Sequence, residues 1–218
     1  VNQDLFIPGE EIEWKQAWKS SGFRLQFLGV VAVIIGLGFA TPHFFDFIES
    51  RNGPVLPDPV LDLFPRRDVS WLVFFILYSG VIIGLYLNLK KPIYLLLTFQ
   101  IYALVMFMRC FTLTVWPLNP PVGYIPLREP IVQMFFTSDG RIISKDLFFS
   151  GHMSTMLAIV FSMGHTIIRR VLVVFAITLA MLLLIQHVHY TIDVLAAPLG
   201  AWLGWWISKN LIGRISIT

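Results

Sequence analysis

His189 and Asp193 stand four residues apart in the string His189-Tyr190-Thr191-Ile192-Asp193, and His152 closes the string Asp146-Leu147-Phe148-Phe149-Ser150-Gly151-His152. Two histidines and a carboxylate are what phosphoryl transfer through a covalent phosphohistidine needs. On a helix, the four-residue spacing stacks His189 and Asp193 on one face. A carboxylate bonded to one ring nitrogen fixes the tautomer and makes the other nitrogen the better nucleophile. A polar interfacial corner, in which His and Asp only cap or snorkel, has the same spacing. His152 follows Ser150-Gly151 at a helix start. Glycine there allows close backbone approach, and the N-terminal N–H groups favour an anionic phosphate oxygen. His152 could then protonate a departing alkoxide; the plainer reading is a lone interfacial histidine after an N-cap serine. Arg109 lies in the apolar run Tyr102 to Val115. Its guanidinium matches a phosphate bidentately, or else it pairs with a carboxylate such as Asp146 or snorkels outward.

His43 has no partner nearby in the sequence, His165 falls near Arg169 on the other side, and His187 would face away from His189 on a helix. None of the three is assigned to catalysis. No His or Cys cluster has metal-ligand spacing and no Gly-rich phosphate loop occurs, so neither metal nor cofactor is expected.

These residues need a frame, and composition says which kind. The chain has 218 residues, 56% hydrophobic and only 13% charged, against roughly 25% charged in soluble domains. A bilayer is the natural solvent for so apolar a chain. The net charge of +3 is too small to argue for nucleic acid as a partner. The single cysteine, Cys110, excludes an internal disulfide. The N-terminal Val1 to Gly22 is polar and of mixed charge, unlike a cleaved signal peptide. Within it, Glu10 to Ser20 reads as an interfacial helix anchored by Ile12, Trp14 and Trp18, or as a solvated amphipathic stub.

A membrane-spanning helix needs about 20 mostly apolar residues. Six stretches qualify: Leu25 to Phe45, Trp71 to Leu87, Ile93 to Val115, Leu147 to Ile168, Val171 to Gln186 and Thr191 to Ile207. The fold class expected is an all-α integral membrane protein with six transmembrane helices. Proline-rich loops follow the first and third spans, over Asp46 to Ser70 and Trp116 to Lys145. Short basic flanks face the cytoplasm. Lys15, Lys19, Arg24, Lys90, Lys91, Arg169, Arg170, Lys209 and Arg214 share one side. The other side mixes Arg51, Arg66, Arg67, Arg128, Arg141 and Lys145 with Asp46, Glu49, Asp58, Asp62, Asp68, Glu129, Asp139 and Asp146. Both termini are therefore expected in the cytoplasm. His152, His189, Asp193 and Arg109 then fall at one depth on the exoplasmic side, be it periplasmic, lumenal or extracellular. Ionisable groups at such a depth are costly, and their default reading is function.

Taken together, the motifs resemble the sphingomyelin synthase-like branch of the type 2 phosphatidic acid phosphatase superfamily. Asp146 to His152 and His189 to Val194 are similar to the family's third and fourth strings. Arg109-Cys110-Phe111-Thr112-Leu113-Thr114 is similar to its second string, and Leu56-Pro57-Asp58-Pro59, with Asp62 shortly after, to its first. The agreement runs from about Pro54 to Ile207. Residues 1–22 would be an N-terminal interfacial segment and 23–218 the six-helix catalytic domain. The resemblance implies His189 as nucleophile, Asp193 holding it, and His152 as acid and then base. Substrate binding would fall to Arg109, Lys145, Asp146, Ser150 and Gly151. The partners implied are a phospholipid donor in the bilayer and an acceptor that is a ceramide-like or diacylglycerol-like hydroxyl. A phosphatase would use water instead. A non-enzymatic lipid transporter or scaffold on the same bundle is the reading from a different class. Two departures stand out: Lys145 replaces the glycine usual in animal synthases, and Leu183-Leu184 stands where the wider superfamily has Ser-Arg.

Overall fold

The computed structural model describes residues 12–127, 143–164, 166–213 and 215. His165 and the charges Arg128, Glu129, Asp139, Arg141 and Arg214 lie outside the described residues. Those residues form helices and loops with no strand. The helices are α1 (Trp14–Ala17), α2 (Ser21–Glu49), α3 (Ser70–Asn88), α4 (Pro92–Val115), α5 (Gly151–Ser162), α6 (Ile167–Ile185) and α7 (Thr191–Ile212), with a short 3-10 turn at Leu61–Leu63. Four of them, α2, α3, α4 and α6, are long and apolar enough to cross a membrane. The chain is an integral membrane protein.

Helix boundaries follow local chemistry. Ser20, Ser150 and Thr166 cap α2, α5 and α6 by accepting the N–H of Phe23, Met153 and Arg169, the usual role of short hydroxyl residues. Pro92 opens α4, where its missing N–H costs nothing. At the end of α6, the N–H of His187 reaches the Leu184 carbonyl at 3.0 Å and that of Val188 reaches Leu183 at 3.3 Å. This Schellman closure puts His187 in the left-handed region at φ 54°, a place glycine usually takes. The chain thereby reverses sharply and delivers His189 to the start of α7.

Two of the expected elements are shorter than their sequences suggest. The fourth span, Leu147 to Ile168, is helical only over Gly151–Ser162. Twelve residues rise about 18 Å, well short of a roughly 30 Å hydrocarbon core. Phe148 and Phe149 stay out of the helix because their carbonyls serve α4: Phe148 accepts from the Thr112 hydroxyl at 2.8 Å and Phe149 from Arg109 Nε at 2.7 Å. At the other end Met163 is extended and Thr166 caps a new helix. The helix anticipated over Glu10 to Ser20 is the single turn α1, with residues 1–11 outside the described set. Its Trp14 indole donates to the Leu89 carbonyl at 2.7 Å, and Trp14 and Trp18 pack edge-on against Phe23 and Phe27. α7 has 22 residues but carries Asp193, Pro198 and three tryptophans, and is not one of the four helices long and apolar enough to cross a membrane.

Short α5 is the hub of the core. It packs against α3, α4, α6 and α7. The approach to α3 is close because Gly84 has no side chain: a Cβ there would overlap Ile159 Cγ2. α2 rests chiefly on α4 and buries only Phe23, Val30 and Ile48 fully. Between α2, α3, α4 and α5 lies a cavity of about 730 Å³.

Candidate functional site

Several helix ends and two loops meet where the two histidine strings come together. α7 begins at Thr191 with Tyr190 as N-cap. Asp193, three residues into the helix, accepts the Tyr190 N–H on Oδ2 at 2.9 Å, the carboxylate half of a capping box. The same Oδ2 lies 3.4 Å from His189 Nδ1. This is a close approach without hydrogen-bond geometry, and catalytic hydrogen bonds often tighten only when a substrate binds. His189 and Asp193 are 1% and 0% exposed. Helical stacking does not bring them together, because His189 lies outside the helix; the Schellman turn is what aims it.

α5 is locked to this turn by its backbone, since the Ser150 N–H donates to the Asp193 carbonyl at 3.1 Å. His152 follows in the first turn of α5, and its ring centroid stands 6.1 Å from that of His189. The two histidines, 37 positions apart in the chain, thus meet with their rings edge to face, 69° apart in plane.

Arg109 reaches up from α4 and is 5% exposed. Its Nε donates to the Phe149 carbonyl, and its Nη2 donates to Asp146 Oδ1 in a close ion pair. The pairing of Arg109 with Asp146, one of the readings open from sequence, is the arrangement present. Gly151 makes it possible: a Cβ at this position would lie 2.6 to 2.9 Å from the guanidinium atoms. Ser150 is fully buried and works as the N-cap of α5. Lys145 turns away from the histidines. Its ammonium donates to the carbonyls of Glu49 and Arg51 at the end of α2, where a cation suits the helix dipole. Glu49 reciprocates by accepting the N–H groups of Ser144 and Lys145, both at 2.6 Å. His43 is exposed on α2. His187 is buried, with Nδ1 3.4 Å from the Ile185 carbonyl.

The cavity ends at this cluster. Arg109, Asp146, Gly151 and His152 form its polar end, while Leu37, Phe44 and Phe45 of α2, Leu77 and Val81 of α3, and Met106 and Leu113 of α4 form apolar walls. Of the two histidines, His152 borders the cavity and His189 stands behind it. Among the described residues, no group of three His, Cys, Asp or Glu side chains is placed to hold a metal ion.

Loop residues complete the site, and sequence reasoning missed most of them. Gln186 is fully buried. Its amide oxygen takes the Val69 N–H at 2.6 Å, and its amide nitrogen lies 3.1 to 3.3 Å from Ser70 Oγ, Asp68 Oδ1 and the Ile125 carbonyl. The Tyr190 hydroxyl donates to the Asn119 carbonyl at 2.8 Å and accepts from the Leu56 N–H at 3.1 Å. Asp58 accepts the Thr191 N–H at 2.6 Å, the Thr191 hydroxyl at 3.0 Å and the Leu61 N–H at 2.9 Å. Burial alone would raise the Asp58 carboxyl, but these N–H and O–H donors outweigh it and hold its pKa below the ordinary carboxylate value. Burial likewise pushes the Tyr124 phenol up to about 12. A glutamine at the end of an apolar run was a visible signal for Gln186; nothing in the sequence named its partners.

Residues 145–210 match the family model described as PAP2 superfamily C-terminal. The match covers under a third of the chain but contains both histidine strings. It supports membership in that superfamily, whose members are typically phosphatases or phosphotransferases. No curated protein matches the chain.

Proposed function

We propose that this protein is a membrane lipid phosphotransferase that moves a phospho-head group from a phospholipid to a lipid hydroxyl, ceramide-like or diacylglycerol-like, through a phosphohistidine. The observation that carries the reading is the adjacent pair His152 and His189, the latter beside Asp193, with His152 at the polar end of an apolar cavity between helices. A cavity of about 730 Å³ with apolar walls and a few polar groups at one end suits acyl chains with a phosphate at the polar end.

With Asp193 on Nδ1, the lone pair of His189 Nε2 attacks phosphorus. The bond from phosphorus to the glyceryl oxygen breaks, and His152 gives its proton to that oxygen, releasing diacylglycerol. His152, now neutral, takes the proton of the acceptor hydroxyl as its oxygen attacks phosphorus and the P–N bond breaks. Arg109, with Gly151 and Ser150 at the α5 N-terminus, steadies the phosphoryl oxygens, and Asp146 sets the Arg109 guanidinium. Lys145 supports the same segment from the end of α2. Six spans place all these groups on the exoplasmic side with both termini cytoplasmic. Short α5 crosses with the help of its flanking segments.

The test is turnover of head-group-labelled phospholipid by purified protein, with ceramide or diacylglycerol as acceptor. His189→Ala is expected to lower it by about 10⁴-fold or more, and turnover should persist in EDTA. A new labelled phospholipid identifies a lipid acceptor. Released phosphate or phosphoalcohol would make water the acceptor and the protein a lipid phosphatase. Turnover surviving in His189→Ala would remove His189 as nucleophile. Absence of any turnover by the intact protein over a broad lipid screen would favour a scaffold or transporter.

A further inference from the structure

We infer that Asp58, in the loop between α2 and α3, is a positioning residue whose carboxylate holds the first turn of α7, and with it the His189–Asp193 pair, in register with α5. The inference rests on the roles proposed above for His189 and Asp193.

The first turn of any helix has N–H groups without an intrahelical partner. In α7 the Tyr190 N–H is taken by Asp193 Oδ2, the atom that also faces His189. Asp193 is thereby committed, and the next N–H, that of Thr191, is left to a residue from elsewhere in the chain. Asp58 supplies the acceptor. Oδ2 takes the Thr191 N–H at 2.6 Å and Oδ1 the Thr191 hydroxyl at 3.0 Å. Asp58 is itself fixed by its own turn, through the Leu61 N–H on Oδ1 and the Asp62 N–H on its carbonyl. Another brace from the same loop, Leu56 N–H to the Tyr190 hydroxyl, stops rotation about the first. The hold passes on to the other histidine, because the Asp193 carbonyl accepts the Ser150 N–H at the start of the helix bearing His152. Asp58 therefore acts on both histidines through α7. Misplacement of reacting groups by about 1 Å can cost around 100-fold in rate, so a contact of this kind is legible in kcat.

The experiment compares wild type, Asp58→Asn, Thr191→Val and Asp62→Asn, each as the full chain in micelles, with labelled phospholipid and acceptor. It adds ¹⁵N-histidine spectra in which the His189 signals are assigned by their loss in His189→Ala. Whichever way an amide at position 58 turns, it sets an N–H against one of the donors. Asp58→Asn is expected to lower kcat roughly 10- to 100-fold with KM changed by less than about twofold, and to shift the His189 ring signals. Thr191→Val should move both readouts in the same direction by less, and Asp62→Asn should move neither. Wild-type kcat and wild-type His189 signals in Asp58→Asn would overturn the inference, as would an equal kcat loss in Asp62→Asn. If Asp58→Asn fails to fold, unchanged His189 signals in Thr191→Val overturn it. If wild type turns over no lipid, the proposed function falls, while the ring signals still decide the role of Asp58.

Discussion

At the end of the bundle that carries His152 and His189, the buried and half-buried polar groups include ionisable ones, Arg109 against Asp146, His189 against Asp193, and Asp58 on the turn above, beside neutral Gln186 and Ser150. At the opposite end they are neutral. Asn88 Nδ2 donates to Thr98 Oγ1 at 2.9 Å and Ser162 Oγ at 3.1 Å, and the Thr98 and Ser162 hydroxyls share a bond of 2.8 Å. Gln100 adds a bond to Gln26 at 2.9 Å. Both ends tie helices together, and neutral hydrogen bonds suffice for that at about 0.6 to 2 kcal/mol each inside a membrane. Buried charge is expensive and adds little net stability over apolar packing. Its concentration at one end therefore points to chemistry there and to structure at the other. The loops fit this division. The proline-rich segments between α2 and α3 and after α4 fold over the ionisable end, whereas α3 and α4 are joined at the neutral end by a turn of three residues.

Substitutions at the two ends put this division to the test. The largest effect is expected from His152→Ala, which should cut turnover about 10²- to 10⁴-fold with little change in unfolding temperature, the size of a lost general acid–base. Arg109→Ala strands Asp146 and should destabilise the protein by about 3 kcal/mol, read by thermal unfolding in micelles, along with loss of turnover. Gly151→Ala drives a methyl into the guanidinium and should cost about 1 to 3 kcal/mol, with a rise in KM for the phospholipid if Arg109 meets phosphate. At the neutral end, Asn88→Ala should cost about 1 kcal/mol and leave kcat of the folded protein unchanged; a large loss of kcat there would erase the division between the ends. The smallest effect concerns acid. The Asp58 pKa is lowered in the folded protein, so its contribution to stability is complete above the unfolded carboxyl value and is lost as pH falls through the folded one. Unfolding temperature measured from pH 5 downward should drop less steeply in Asp58→Asn than in wild type.

Much of this is readable in the chain before any fold is known. The long apolar runs mark α2, α3, α4, α6 and α7 to within a few residues at most ends. The nearness of His189 to Asp193 is legible because a four-residue separation is a local constraint. The fourth span is overestimated because hydropathy cannot see that the Phe148 and Phe149 carbonyls are taken by Thr112 and Arg109, residues 36 and 40 positions away. Hydrogen bonding at that range stops a helix that composition would continue. The roles of Glu49 and Asn119 escape notice for the same reason: each is an ordinary polar residue until its distant partner is known.

Composition and short-range spacing are enough to establish that the chain lives in a bilayer, where its helices lie, and which two strings carry the candidate chemistry. Those properties depend on averages over about twenty residues and on intervals within a single helical turn. The pairing of Arg109 with Asp146, the closure of α2 by Lys145, the meeting of His152 with His189 and the seating of α7 by Asp58 are of another kind. Each joins segments that share no helix, so only the packing of the bundle and the folding of its loops bring them together.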